Sequence, residues 1–290
     1  MKNLITRSIS GAVYVALIVC SILFGQYWGF PSLCCIFLFI GVIEYQKMTQ
    51  NDIYRSPQSL FVDILTGISL LATGVFFTLG LDPIFIGFLA ATIILGLLRL
   101  TMQLYSHRQN TLAYVTNSVM SVAYVAVPLT LASMTFLIFG PALTLLMFIM
   151  IWLNDTGAFL VGSAIGSHRL FERLSPKKSW EGFFGGLVFS IVAGILAATI
   201  PDISGYFAGY NSWMLGAMGL LVSVMSTWGD LFESMIKRQV GVKDSGNLIP
   251  GHGGILDRID SLLFVAPAVF VYLTILFCYT DAFMLIQNVN

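Results

Sequence analysis

Apolar residues in this chain gather into long runs. They run on for about 20 positions at a time, roughly over 8–25, 28–48, 60–79, 84–105, 113–139, 142–166, 183–200, 213–238 and 261–280. A run of that length is what an α-helix needs to cross the hydrocarbon core of a bilayer. A lipid-exposed open sheet would leave backbone groups without partners, so the pattern predicts helices. The expected fold is all-α: a polytopic integral membrane protein with about nine transmembrane helices.

Composition agrees. Of 290 residues, 57% are hydrophobic and only 10% charged, against roughly 25% charged in soluble domains. The 14 basic residues then suggest an orientation. They fall at the N-terminus (Lys2, Arg7) and at every second connection or the helix ends beside it, among them Lys47, Arg55, Arg99, Arg108, Arg169, Arg173, Lys177 and Lys178. The others are Lys237, Arg238, Lys243 and Arg258. The remaining connections carry only Asp82, Asp202 and Asp281. By the positive-inside rule the N-terminus is expected in the cytoplasm and the C-terminus outside. Lys2 and Arg7 before an apolar run resemble a secretory signal, but no small-residue cleavage site follows, so the first segment reads as a retained helix. Net charge is zero, which gives no indication of a nucleic-acid partner. The four cysteines lie in apolar runs and read as small hydrophobes.

The chain divides by chemistry. Residues 1–140 read as scaffold helices with possible dimer contacts, and 141–290 as a catalytic transmembrane region with cytoplasmic loops 167–182 and 239–260. Three polar clusters mark the second part. "WLNDTGAFLVGSAIG" (152–166) buries Asn154 and Asp155 in an apolar run. Such residues can merely tie two helices together, and Gly162-x-x-x-Gly166 can be a packing face. An intramembrane carboxylate is nevertheless a functional candidate. "LFERLSPKKSWEG" (170–182) sets Ser175, a proline, Lys177 and Lys178 ahead of Glu181. Adjacent lysines can anchor topology, and they also suit phosphate. "STWGDLFESMIKRQ" (226–239) places Asp230, Glu233, Ser234 and Lys237 on one helix face.

The stretch "GVKDSGNLIPGHGGILDRIDSLLF" (241–264) joins these groups. Its glycines 246, 251, 253 and 254 can bring backbone N–H groups close to phosphate oxygens. Lys237, Arg238, Lys243, Arg258 and His252 add positive charge or donors. Asp257 and Asp230 are the expected ligands of a Mg²⁺ ion, with Asp244 and Asp260 in reserve and a second cation admissible. Magnesium commonly takes one or two carboxylates together with substrate phosphates. Acids, bases and glycines at a lipid boundary suggest a metal–polyphosphate site facing a lipid headgroup.

"SMIKRQVGVKDSGNLIPGHGGILDRID", Ser234 to Asp260, resembles the signature of the phosphatidate cytidylyltransferases, the CDP-diacylglycerol synthases, without a gap or a substituted key residue. "NDTGAFLVG" at 154–162 and "SPKKSWEG" at 175–182 are similar to the family's upstream features. The resemblance covers about 120 residues, and the first 140 match only as membrane helices. It implies transfer of CMP from CTP to phosphatidic acid, releasing pyrophosphate. The catalytic residues would be Asp230, Asp257, Lys237, Arg258 and Lys177. Substrate contacts would come from Asn154, Asp155, Ser175, Lys177, Lys178, Glu181, Ser234, Lys237, Arg238, Lys243, Gly251, His252, Gly253, Gly254 and Arg258. It also implies a homodimer in the membrane (the inner membrane of a bacterium), with the site facing the cytoplasm. A related CTP-dependent enzyme acting on another lipid phosphate or alcohol is the nearest alternative. An ion-coupled transporter is the alternative from another class, though every charged cluster opens to one side and no internal repeat is visible.

Overall fold

The computed structural model describes residues 2–49, 56–105, 110–207, 209–248 and 253–287, with side chains for 9–278 of these except 202 and 203. Helices α1 (Lys2–Leu23), α2 (Gln26–Thr49), α3 (Pro57–Thr78) and α4 (Asp82–Leu104) follow one another across short connections. Then come α5 (Thr111–Ser121), a π-helical turn (Val122–Ala126) and α6 (Val127–Ile165). A hairpin of β1 (Arg169–Phe171) and β2 (Ser175–Ser179) leads into α7 (Trp180–Thr199). A short helix α8 (Pro201–Ser204) and a 3₁₀ turn precede α9 (Ser212–Gln239) and α10 (Leu256–Gln287).

Among the described residues, seven helical stretches are long and apolar enough to cross a membrane, and Ile9–Leu23 is a shorter apolar one. The protein is a polytopic helical membrane protein. The longest stretch, Thr111–Ile165, is interrupted where Gly140 takes φ 89° and ψ 172° ahead of Pro141. Glycine adopts that backbone without strain, and proline cannot donate into the preceding turn. The apolar runs read at 113–139 and 142–166 are the two limbs of this broken helix.

Two features position the site. First, α6 and α7 approach closely because small residues face each other. A Cβ at Gly182 would sit 2.8 Å from the Ala158 carbonyl oxygen, and one at Gly186 2.6 Å from Asn154 Oδ1. Second, the segment expected to be a loop at 167–182 contains an antiparallel hairpin pairing Arg169 with Ser179 and Phe171 with Ser175. Two strands alone are marginal. Here Ser179 also caps α7, accepting the Gly182 N–H at 3.1 Å, and the Trp180 N–H donates to the His168 carbonyl at 2.9 Å. The hairpin is therefore welded to the start of a membrane helix. The core lies where α2, α6, α9 and α10 meet, with Phe30 packed against Phe136 and Phe148 at ring separations of 5.5 and 5.8 Å.

Arg99 corrects the charge map. It was counted as a boundary charge, yet only 5% of it is exposed and its Nε lies 3.2 Å from Asp63 Oδ1. It is an internal ion-pair member and anchors no loop. The side chains of Lys2 and Arg7, and Arg55 and Arg108 entirely, lie outside the described residues.

Candidate active site

The start of α10 is the centre of the site. Asp257 Oδ2 accepts the Gly254 N–H at 2.8 Å, the Ser245 N–H at 2.9 Å and the Ser245 hydroxyl at 3.0 Å. Its other oxygen, Oδ1, accepts from Lys237 Nζ at 2.8 Å. Lys237 in turn holds Glu233 at 2.7 Å, one helical turn back on α9. The face read from the sequence is intact: Ser234 donates to Asp230 Oδ1 at 3.3 Å. Asp230 also pairs with Lys178 of β2 at 2.6 Å, so the hairpin closes onto α9 through one ion pair. Both members are partly exposed, at 27% and 38% of their side chains.

Two cavities flank that pair. The larger, about 530 Å³, lies between α1, α6, α9 and α10. It is lined by apolar residues, among them Val15, Phe148, Ile151 and Trp152, and by the charged side chains of Asp155, Asp230, Lys237, Asp244, Asp257, Arg258 and Asp260. The second, about 410 Å³, lies between α6, the hairpin, α7 and α9, with Lys177, Lys178, Asn154 and Thr227 among its walls. Asp155 and Asp230 line both. They form a shared acidic ridge, and Lys178 reaches across it.

Not every sequence candidate meets a cavity. Among the described residues, Ser175, Glu181, Ser234, Arg238, Lys243, Gly253 and Gly254 line neither. Glu181 grips the hairpin's base, accepting from the Ser167 hydroxyl at 2.9 Å and lying 2.5 Å from His168 Nδ1. In this structure it ties the hairpin to the start of α7. Asn154 is 2% exposed and accepts the Ser223 hydroxyl at 2.7 Å, so its carbonyl oxygen is used in tying α6 to α9. The Gly254 N–H was expected to meet phosphate but is engaged by Asp257. Gly253 has φ 83°, and a Cβ there would collide with the Asp257 carboxylate. Gly251 and His252 lie outside the described residues.

The four expected metal ligands, Asp230, Asp257, Asp244 and Asp260, do face one cavity. Among the described residues, though, no three acidic, histidine or cysteine side chains converge enough to hold a metal ion by themselves. Asp230 and Asp257 each have a lysine partner instead. Hard oxygen donors spread around a cavity fit an ion that arrives with polyphosphate and takes only one or two protein carboxylates.

Sequence reasoning missed Tyr14 and Glu44. The Tyr14 hydroxyl donates to the Arg258 carbonyl at 2.9 Å and so joins α1 to α10. Glu44 of α2 accepts the Leu256 N–H at 2.9 Å. A lone acid inside the apolar run "FIGVIEYQKM" was the available signal for Glu44, by the same reasoning that picked out Asp155.

Two adjoining cavities among the helices, lined by apolar side chains, acids and the four cations Lys177, Lys178, Lys237 and Arg258, define the class: a polytopic helical membrane protein with a charged internal site. The chain matches the family model described as the cytidylyltransferase family over residues 5–276, and it belongs to that family. It is 45% identical over 120 residues to a phosphatidate cytidylyltransferase of Staphylococcus haemolyticus (strain JCSC1435), and 47% over 122 residues to that of Staphylococcus aureus (strain COL). Each alignment covers 41% of this chain and 44% of the relative, so less than half the length of these relatives is matched.

Proposed function

We propose that the protein transfers the CMP moiety of CTP to phosphatidic acid, giving CDP-diacylglycerol and pyrophosphate. The observation that carries this reading is the pair of cavities sharing Asp155 and Asp230, each lined by both apolar and charged side chains. Two phosphate-bearing substrates, one of them a lipid, need such an arrangement. Family membership and the two staphylococcal relatives support the same chemistry.

The reaction needs no general base. A phosphate monoester has its second pKa near 6 and is largely a dianion at pH 7. One lipid phosphate oxygen attacks the α-phosphorus of CTP, and the bond from that phosphorus to the bridging oxygen of the β-phosphate breaks. Pyrophosphate leaves with the electron pair. The protein must hold two anions together and neutralise the leaving group. Lys177 and Lys178 on the hairpin, with Lys237 and Arg258 at the α9–α10 junction, supply that positive charge. A magnesium ion, held by Asp257 and Asp230 with Asp244 and Asp260 nearby, would supply further charge neutralisation at the phosphates. Lys178 sits on Asp230 and Lys237 on Asp257, so phosphate and metal would redistribute existing ion pairs when they bind.

In this reading the nine apolar runs are nine spans with the N-terminus in the cytoplasm, and both cavities open toward that side. The clustering of basic residues at alternate connections supports it. The resemblance to the phosphatidate enzymes supports a homodimer. Purified protein in detergent micelles, given CTP, Mg²⁺ and phosphatidic acid, should form CDP-diacylglycerol and pyrophosphate in equal amounts. Excess EDTA should stop turnover, and added Mg²⁺ should restore it. Product from a lipid alcohol or another lipid phosphate, with none from phosphatidic acid, would overturn the substrate assignment.

A further inference from the structure

We infer that Glu44 is a positioning residue for the reaction proposed above, acting from α2 on the start of α10; the inference rests on that reading of the site. Glu44 is 6% exposed and sits on a membrane-spanning helix. A buried carboxylate there is unfavourable unless hydrogen bonds satisfy it. Its partners belong to the motif loop, 201 and 212 residues away. Glu44 Oε2 accepts the Leu256 N–H at 2.9 Å and lies 3.4 Å from the Ser245 hydroxyl. Leu256 opens α10, so its N–H is one of the donors a helix start leaves without an internal partner. The carboxylate also meets the positive end of that helix's dipole.

The loop is shaped to this side chain. A Cβ at Gly246 would stand 2.7 Å from Glu44 Oε1, and one at Gly254 2.5 Å from Oε2. These glycines read from the sequence as openings for phosphate. In the structure they make room for a glutamate from the other end of the chain. Ser245 and Gly254, the residues packed on Glu44, are the same ones whose N–H groups fix Asp257 Oδ2. With that oxygen fixed, Oδ1 meets Lys237, and both residues line the larger cavity. Glu44 lines neither cavity, so it acts through the loop and never on substrate.

The test uses full-length protein in nanodiscs. Glu44→Leu, similar in size but unable to accept, should lower kcat about 10- to 100-fold, the scale of a sub-ångström misplacement. KM for CTP and for phosphatidic acid should move no more than about threefold. Glu44→Gln keeps an amide oxygen for Leu256 and should recover kcat to within about threefold of wild type. Hydrogen exchange gives a readout independent of turnover: in Glu44→Leu, amides of 245–248 and 253–257 should exchange faster while α6 and α7 keep their protection. Wild-type kcat in Glu44→Leu, a Gln variant no better than Leu, or faster exchange spread evenly over all helices would each overturn the positioning role. If wild-type protein forms no CDP-diacylglycerol, the functional reading falls by itself, and the exchange pattern still decides whether Glu44 organises the loop.

Discussion

Two clusters of paired acid and base lie in the two halves of this molecule, one buried and one partly open. In the first, Asp63 accepts from Gln46 at 2.6 Å, from the Ser118 hydroxyl and from Arg99, which also donates to Gln103 at 3.1 Å. All five residues are at most 8% exposed. Asp63, Arg99 and Ser118 line a cavity of about 310 Å³ whose other walls are mainly aliphatic. In the second, Lys178, Asp230, Lys237 and Asp257 are paired at similar distances, but the side chains of Lys178 and Asp230 are 27% and 38% exposed, against 6% and 2% for Arg99 and Asp63. The chemistry is the same and the accessibility differs. Charge inside a membrane protein is thus not enough to mark a site. The first cluster spends its hydrogen-bonding capacity on tying four helices together, and the second, in the reading proposed above, exchanges partners with a ligand.

Substitutions can break or sharpen that contrast. The largest loss of activity is expected from Asp257→Asn, which weakens the Lys237 pair and removes the proposed metal ligand together. Turnover should fall at least about 100-fold, with the protein still folded and extractable by gel filtration. Near-normal turnover would remove Asp257 from the chemistry. Lys178→Ala should have an intermediate effect. Charge-assisted contacts are worth about 1.5–3 kcal/mol, so kcat/KM for CTP should fall about 10- to 100-fold. If it instead lowered the melting temperature and spared kcat/KM, the Lys178–Asp230 pair would belong with Asp63–Arg99 as structure. The smallest catalytic effect is expected from Asp63→Asn. Leaving Arg99 without its carboxylate should destabilise by about 3–5 kcal/mol. Per folded molecule, kcat/KM should stay within about twofold of wild type, measured at a temperature where the variant is fully folded.

The architecture was legible from sequence because lipid imposes a strict demand. Long apolar runs had to be helices, and even the break at Gly140–Pro141 showed as a gap between two runs. Asp155, Asp230, Lys178, Lys237, Asp257 and Arg258 were also legible, since charged side chains in so apolar a chain stand out. What sequence could not show was who holds whom. Glu181 and Asn154 carry the residue types of ligand contacts, yet they satisfy His168 and Ser223. The Gly254 N–H looked available until Asp257 was seen to accept it. Glu44 and Tyr14 lie in the part read as scaffold, and their partners are more than 200 residues away. The pairing of the closed cluster was equally invisible, because Asp63 and Arg99 sit in separate helices and only their burial distinguishes them from boundary charges.

The bond from Tyr14 to the Arg258 carbonyl spans 244 positions. A ribosome delivers α1 to the membrane long before α10 exists. Until the last helix is inserted, Tyr14 has no Arg258 to meet, Glu44 has no helix start to cap and Lys237 has no Asp257. In the reading proposed above, the site is complete only once α10 has joined α1, α2 and α9. A chain stalled or truncated before α10 would lack all three of these contacts at once.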